Sequence, residues 1–125
     1  MNKATGYIRV STQDQAEEGV SMEMQEAKLR QWASLNDVEL VAVYRDDGLS
    51  GKNMARPGLH QALAEVKAHK GALIVHSLRA LSRSTRDTLE IAARLDKAGA
   101  DFVVLVEKID TTTAAGRMFF RMMAA

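Results

Sequence analysis

The chain of 125 residues contains no cysteine. Disulfide scaffolds, thiolate zinc sites and cysteine nucleophiles are thereby excluded. No apolar run approaches membrane-spanning length, and the N-terminus lacks the basic-then-apolar layout of a secretory signal, so a cytoplasmic protein without a membrane partner is expected. No glycine-rich phosphate loop of Walker or dinucleotide type follows the first apolar segment. His60, His69 and His76 lack ligand spacing, and only the loop carboxylates Asp46 and Asp47 lie close together, so no metal and no cofactor is expected. Charge of one sign is not in excess either. A formal net charge of +1 makes no bulk electrostatic case for nucleic acid, and any such case must come from where the arginines converge.

What is present is an ordinary globular composition, 46% hydrophobic and 26% charged, at a length suited to one domain with one core. Four aliphatic segments of strand length recur: ATGYIRV, VELVAVYR, GALIVHSL and DFVVLVE. Helix-patterned stretches separate them. Met22, Gln25, Leu29 and Trp32 repeat at helical spacing behind a capping Ser21. Pro57 suits a first helical turn ahead of the stripe Leu59, Ala62, Leu63 and Val66. Ser84 and Asp87 open a third helix whose face is Ile91, Ala92, Leu95 and Ala98, with Gly99 as its stop. Alternation of this kind predicts an α/β fold, a mostly parallel sheet of four to five strands with helices on both faces. The last segment, AAGRMFFRMMAA, begins a helix that is apolar nearly all round and ends without a cap. The plain reading is a final core helix with a frayed end; the favoured one is the start of a longer helix, cut short, that packs on another subunit.

In open parallel sheets ligands bind beyond the carboxyl ends of the strands. The polar residues there are Ser11 to Asp14 after the first strand, RDDGLSGKNMARPG after the second and HSLRALSRSTR after the third. In the first strand Tyr7, Arg9 and Ser11 alternate with Ile8 and Val10, and so share one face. Gln25 lies on an otherwise apolar helical stripe, which turns its amide inward, either to the site or to backbone partners within the core. A serine hydroxyl is a poor nucleophile until a neighbour steers its proton. Clustered guanidiniums can cradle the negative charge of a phosphoryl transition state, a task otherwise given to divalent metals. Attack of a serine on a phosphodiester suits the set.

These residues resemble the serine recombinases: the resolvases, invertases and large serine integrases. YIRVSTQDQ looks like the family's Tyr-x-Arg-Val-Ser-Thr motif. DGLSG followed by RPGL looks like its second block, and IDTTTAAGRMFFRMMAA like the entry into its long dimerisation helix. The resemblance implies a catalytic domain over residues 1–112 and the start of the dimerisation helix over 113–125, with the DNA-binding domain absent. It implies Ser11 as nucleophile, with Arg9, Gln25, Asp47, Arg56 and Arg83 as catalytic partners and Tyr7 and Ser50 at the DNA phosphate. It further implies metal-independent cleavage of DNA through a 5′-phosphoserine intermediate, and assembly into dimers and tetramers through the C-terminal helix.

In one block the chain departs from the family's common Leu-Asp-Arg-Leu-(Ser/Gly)-Arg. Leu78, Leu81, Ser82 and Arg83 fit, but Arg79 stands where aspartate is common and Ala80 where a catalytic arginine is expected. Arg79 could reach the same DNA phosphate from the adjacent position, but adjacent residues on a strand end point to opposite sides, which counts against its replacing the lost guanidinium. A degenerate recombinase fold that assembles on DNA without cutting it is therefore the alternative reading. A phosphoacceptor or nucleotide-binding domain would want an acidic cluster after the first strand and an acceptor aspartate after the third; neither is visible.

Overall fold

The structure, a computed structural model, describes residues 2–11, 21–48, 56–82 and 84–124; the side chains of residues 11, 47, 48, 120, 123 and 124 lie outside that description. Among the described residues five strands form one sheet in the order β2-β1-β3-β4-β5. They are β1 (Lys3–Ser11), β2 (Glu39–Gly48), β3 (Ala72–Val75), β4 (Asp101–Val104) and β5 (Ile109–Asp110). The first four are parallel and β5 is antiparallel to β4. The described helices are α1 (Met22–Leu35), α2 (Pro57–His69), α3 (Leu78–Leu81), α4 (Thr85–Lys97) and α5 (Ala114–Ala124).

The strand pleat sorts the core into two layers. Ala4, Ile8, Ala72, Ile74 and Val103 pack under α1 through Leu29, with Trp32 and Met22 at the margin. Tyr7, Leu73, Val75, Phe102 and Val104 face the other way, against Leu59, Ala62, Leu63 and Val66 of α2 and Ile91 and Leu95 of α4. Both layers follow from period-two strands and helical stripes, and each buried Leu or Ile contributes about 1.5–3 kcal/mol. Local signals set the helix ends. The Ser21 hydroxyl accepts from Met24 N at 3.1 Å and the Ser84 hydroxyl from Asp87 N at 3.2 Å. Gly99, with φ of 77°, takes the left-handed conformation that ends α4.

Strand lengths differ from the sequence reading, and the differences shape the site. β2 continues through Asp46, Asp47 and Gly48, residues expected in a loop, because β1 runs beside it in register to Ser11↔Gly48. β3 stops at Val75, paired with Tyr7. Ser77 then caps a helical turn, accepting from Ala80 N at 3.1 Å, where a loop was expected. β1 thus runs on past β3 by the four residues Ile8 to Ser11. Among the described residues no helix is long and apolar enough to cross a membrane.

A polar network crosses the amino half of the sheet. Glu65 of α2 accepts from the Thr5 hydroxyl at 2.9 Å and from the Tyr44 hydroxyl at 3.1 Å. Thr5 Oγ1 also lies 2.9 Å from His69 Nε2. Because His69 Nδ1 accepts from Gly71 N at 2.9 Å, the neutral ring carries its proton on Nε2 and donates it to Thr5. Partial burial of His69 disfavours its charged form and lowers its pKa from the ordinary 6.5; Lys3 acts in the same direction and Glu65 opposes both. The unfolded chain therefore takes up this proton first. The stability tied to the neutral ring is fully present above the ordinary value and is lost as pH falls below it. Urea midpoints are expected to drop between about pH 7.5 and about pH 5.5, and His69→Gln to flatten that drop. An equal pH slope in the variant would remove His69 from the account.

Candidate active site at the carboxyl edge of the sheet

β2 and β3 lie on opposite sides of β1. The crevice beyond the carboxyl ends of β1 and β3 is therefore the point where strand order reverses, the usual ligand position in open parallel sheets. Ser11 is the last residue of β1. Its side chain, that of Asp47, and the whole of Ser50 and Arg83 lie outside the described residues. The surrounding frame is described.

Its central group is Asp46. The carboxylate is buried and three donors converge on it. Gly58 N reaches Oδ1 at 2.8 Å, Leu59 N reaches Oδ2 at 3.0 Å, and the Tyr7 hydroxyl reaches Oδ2 at 2.7 Å. Gly58 and Leu59 belong to the first turn of α2, which has no side-chain cap of its own. Asp46 thus caps from a neighbouring strand the helix that Pro57 begins, and its negative charge meets the positive end of the helix dipole. The approach is so close that a Cβ on Gly58 would stand 2.4 Å from the Arg45 carbonyl oxygen. Only glycine fits there. Tyr7 is fully buried. Burial first, then the bond to Asp46, raises its pKa well above the ordinary phenol value, so it serves as a neutral donor.

Arg56 immediately precedes α2. Its backbone is left-handed, at φ 31° and ψ 62°. A residue with a Cβ holds this conformation at a cost of roughly 1–2 kcal/mol. Nζ-type point charge is not what occupies the position; a planar guanidinium does, and its Cζ stands 5.9 Å from the Tyr7 ring centroid. One terminal nitrogen meets Asp87 Oδ2 at 2.8 Å, and the other donates to the Leu81 carbonyl oxygen. The buried Nε has no hydrogen-bond partner among the described residues.

Arg9 approaches the same turn from β1, donating to the Arg79 carbonyl oxygen at 3.3 Å. The two arginines thus both reach backbone carbonyls of α3. Gln25 meets Arg9 differently. Its Nε2 donates to Arg9 O at 3.1 Å, and its Oε1 accepts from Arg9 N at a long 3.4 Å. The buried amide takes up both polar groups of one peptide residue, as an adjacent strand would, so of the two partners open to it the backbone is the one it uses here. Tyr7, expected at the phosphate, lies beneath Arg56 with its hydroxyl turned to Asp46. Arg79 is exposed and Ala80 is buried. Both ride a helical turn, where successive side chains diverge by about 100°, not on a strand end. Outside this frame, Glu26 joins Arg30 at 2.8 Å and Arg45. The hydrogen bond from Arg30 first, and that from Arg45, hold its carboxyl below the usual range.

Sequence reading missed Asp46 as the organising carboxylate. The signal was its even spacing from Ala42 and Tyr44, which puts it on the α2 face if the strand is allowed to continue. Asp87 was read only as part of a helix start. Nothing local in the sequence joins it to Arg56, 31 positions away.

Comparison with known proteins sets this frame in context. The family described as Resolvase, N terminal domain, matches residues 4–125. The DNA-invertase hin of Salmonella typhimurium is 39% identical over 121 residues, covering 96% of this chain and 56% of that protein. The serine recombinase gin of Escherichia phage Mu is 35% identical over 121 residues, covering 96% of this chain and 55% of that protein. The chain thus spans little more than half the length of these relatives. Among solved structures, the N-terminal catalytic domain of TP901-1 integrase superposes with a TM-score of 0.85 at 35% identity, over 98% of this chain and 92% of that one. A resolvase family site-specific recombinase from Streptococcus pneumoniae gives 0.77 at 26% identity, over 99% and 86%.

Truncating the organising carboxylate leaves a buried hydroxyl and two helix-end amides without their acceptor. Asp46→Ala is expected to lower unfolding stability by about 3 kcal/mol, and Tyr7→Phe by about 1 kcal/mol, in urea titrations. A loss for Asp46→Ala no larger than for Tyr7→Phe would mean that the α2 cap contributes little.

Proposed function

The chain belongs to the resolvase N-terminal domain family of serine recombinases, and from that premise we propose that it is the catalytic domain of a site-specific DNA recombinase with Ser11 as its nucleophile. The supporting observation is the meeting of Arg9 and Arg56 on the carbonyls of α3, beside the carboxyl edge where β1 ends in Ser11. Ser11 Oγ attacks a backbone phosphorus as its proton leaves, the bond to the 3′ oxygen breaks, and that oxygen takes up a proton. A 5′-phosphoserine and a free 3′ hydroxyl result. Attack of a 3′ hydroxyl on that ester reverses the exchange, so the energy of the cut bond is kept without a nucleotide or a metal. Guanidiniums offset the charge on the non-bridging oxygens. Arg9, Arg56 and Arg83 are proposed for this role, Gln25 and Asp47 as further catalytic partners, and Ser50 and Arg79 for contact with the phosphate.

DNA is the proposed substrate, and a second copy of the chain the proposed partner. Residues 113–125 would open the helix through which dimers and tetramers form, and Met118, Phe119 and Met122 are exposed on it. Cleavage of all strands, rotation of half the assembly and rejoining would complete recombination.

Ala80 favours a second reading, a fold that assembles on DNA without cutting it. Its side chain is buried on the packed side of α3, at the position where the family resemblance expects a guanidinium. One assay separates the two. The full-length protein is incubated with duplex DNA carrying its attachment sites, quenched, and resolved for covalent protein–DNA adducts. Adducts are expected with the wild type and none with Ser11→Ala; adducts that persist in that variant would assign the nucleophile elsewhere. Arg56→Lys is expected to slow their formation about a hundredfold, because an ammonium cannot hold the same fork. Adducts formed only by Ala80→Arg would support the assembly reading for the natural chain.

A further inference from the structure

We infer that Asp87 is a positioning residue that fixes the guanidinium of Arg56 for the transferring phosphate. The inference rests on the recombinase reading and adds a residue to it. Asp87 stands at the third position of α4, three residues after the Ser84 cap. An acidic side chain there ordinarily turns back to the cap's own backbone N–H. In this chain that N–H is already taken, since Ser84 N donates to the Ser82 hydroxyl at 3.1 Å. The Asp87 carboxylate instead reaches out of its helix and meets Arg56 at 2.8 Å.

The remaining geometry shows what the contact does. Arg56 is held by its left-handed backbone, by the Tyr7 ring beside it, and by the Leu81 carbonyl at one terminal nitrogen. Those constraints leave rotation about the end of a long side chain. A carboxylate on the other terminal nitrogen removes it, and sets the guanidinium plane by two directed bonds. Arg56 has five N–H donors, so two such bonds leave others for a phosphate. The Arg56 side chain is 18% exposed and the Asp87 side chain 39%, which puts the carboxylate on the solvent side of the pair. Asp87 offsets part of the guanidinium's charge. Its contribution is orientation, which counts because a donor displaced by about 1 Å can cost about a hundredfold in rate.

Two readouts test this on the full-length protein. In adduct assays at saturating attachment-site DNA, Asp87→Ala is expected to slow the first-order step about tenfold or more without weakening DNA binding, and Asp87→Glu to recover most of the rate. In nitrogen-15 spectra without DNA, the Arg56 Nε–H signal, assigned by its disappearance in Arg56→Lys, is expected to be sharp in the wild type. In Asp87→Ala it should broaden or exchange with water. Thermal unfolding confirms that each variant is folded. A rate within twofold of the wild type, or a faster one as expected of a competing anion, overturns the positioning role. Loss in Asp87→Ala with no recovery by Asp87→Glu and an unchanged Arg56 signal also overturns it. If even the wild type forms no Ser11 adduct, the recombinase reading fails by itself, and the Arg56 signal alone decides whether Asp87 orders the guanidinium.

Discussion

The Asp46 carboxylate is the interaction on which the rest of the site depends. It joins β2 to the hydroxyl of Tyr7 on β1 and to the first two amides of α2. A strand that ended at Arg45 would leave the helix uncapped, Tyr7 with a buried hydroxyl to satisfy, and Arg56 on a free loop. The convergence of three donors on one buried acceptor avoids all three penalties. Gly58 is the geometric counterpart, since any side chain there would drive α2 off the β2 backbone.

From this junction the position of Arg56 follows in steps. The cap fixes the axis of α2, Pro57 fixes the first φ inside it, and the residue before Pro57 must turn the chain. That residue takes a left-handed conformation which glycine would adopt more cheaply. An arginine in a strained backbone, held at both terminal nitrogens and against a ring, marks a place where the fold trades some stability for the placement of a charge. Glycine would lower the strain and lose the guanidinium; lysine would keep a charge and lose the fork.

Most of the fold was legible in the sequence because its signals are local. The stripes Leu59–Ala62–Leu63–Val66 and Met22–Gln25–Leu29–Trp32, the Ser21 and Ser84 caps and the Gly99 stop each depend on neighbours within one or two turns. The structure returns all of them. What escaped was relational. The end of β2 is set by the partner strand that runs beside it, so Asp46 was assigned to a loop although its side chain is in the core. The turn after β3 depends on Ser77 and on Glu107, which accepts from Leu78 N at 3.1 Å from the turn that follows β4. The pairing of Asp87 with Arg56 follows only once α2 and α4 share a face of the sheet.

The turn at α3 shows why such relations matter to chemistry. On a strand, Arg79 and Ala80 would point to opposite sides, and one would replace the other only across the sheet. On a helical turn they diverge by about 100°. Ala80 then lies in the packed side, while the carbonyls of Arg79 and Leu81 face the arginines that arrive from β1 and from α2. The backbone of this short turn therefore orients two guanidiniums although its own side chain at position 80 carries none. In the proposed mechanism electrostatic work at the edge of this sheet is divided: the charges come from Arg9 and Arg56, and their directions from the carbonyl oxygens and the carboxylate that they meet. Aligned donors in a partly buried crevice act more strongly than the same charges on free side chains, so the direction of the two guanidiniums counts as much as their number.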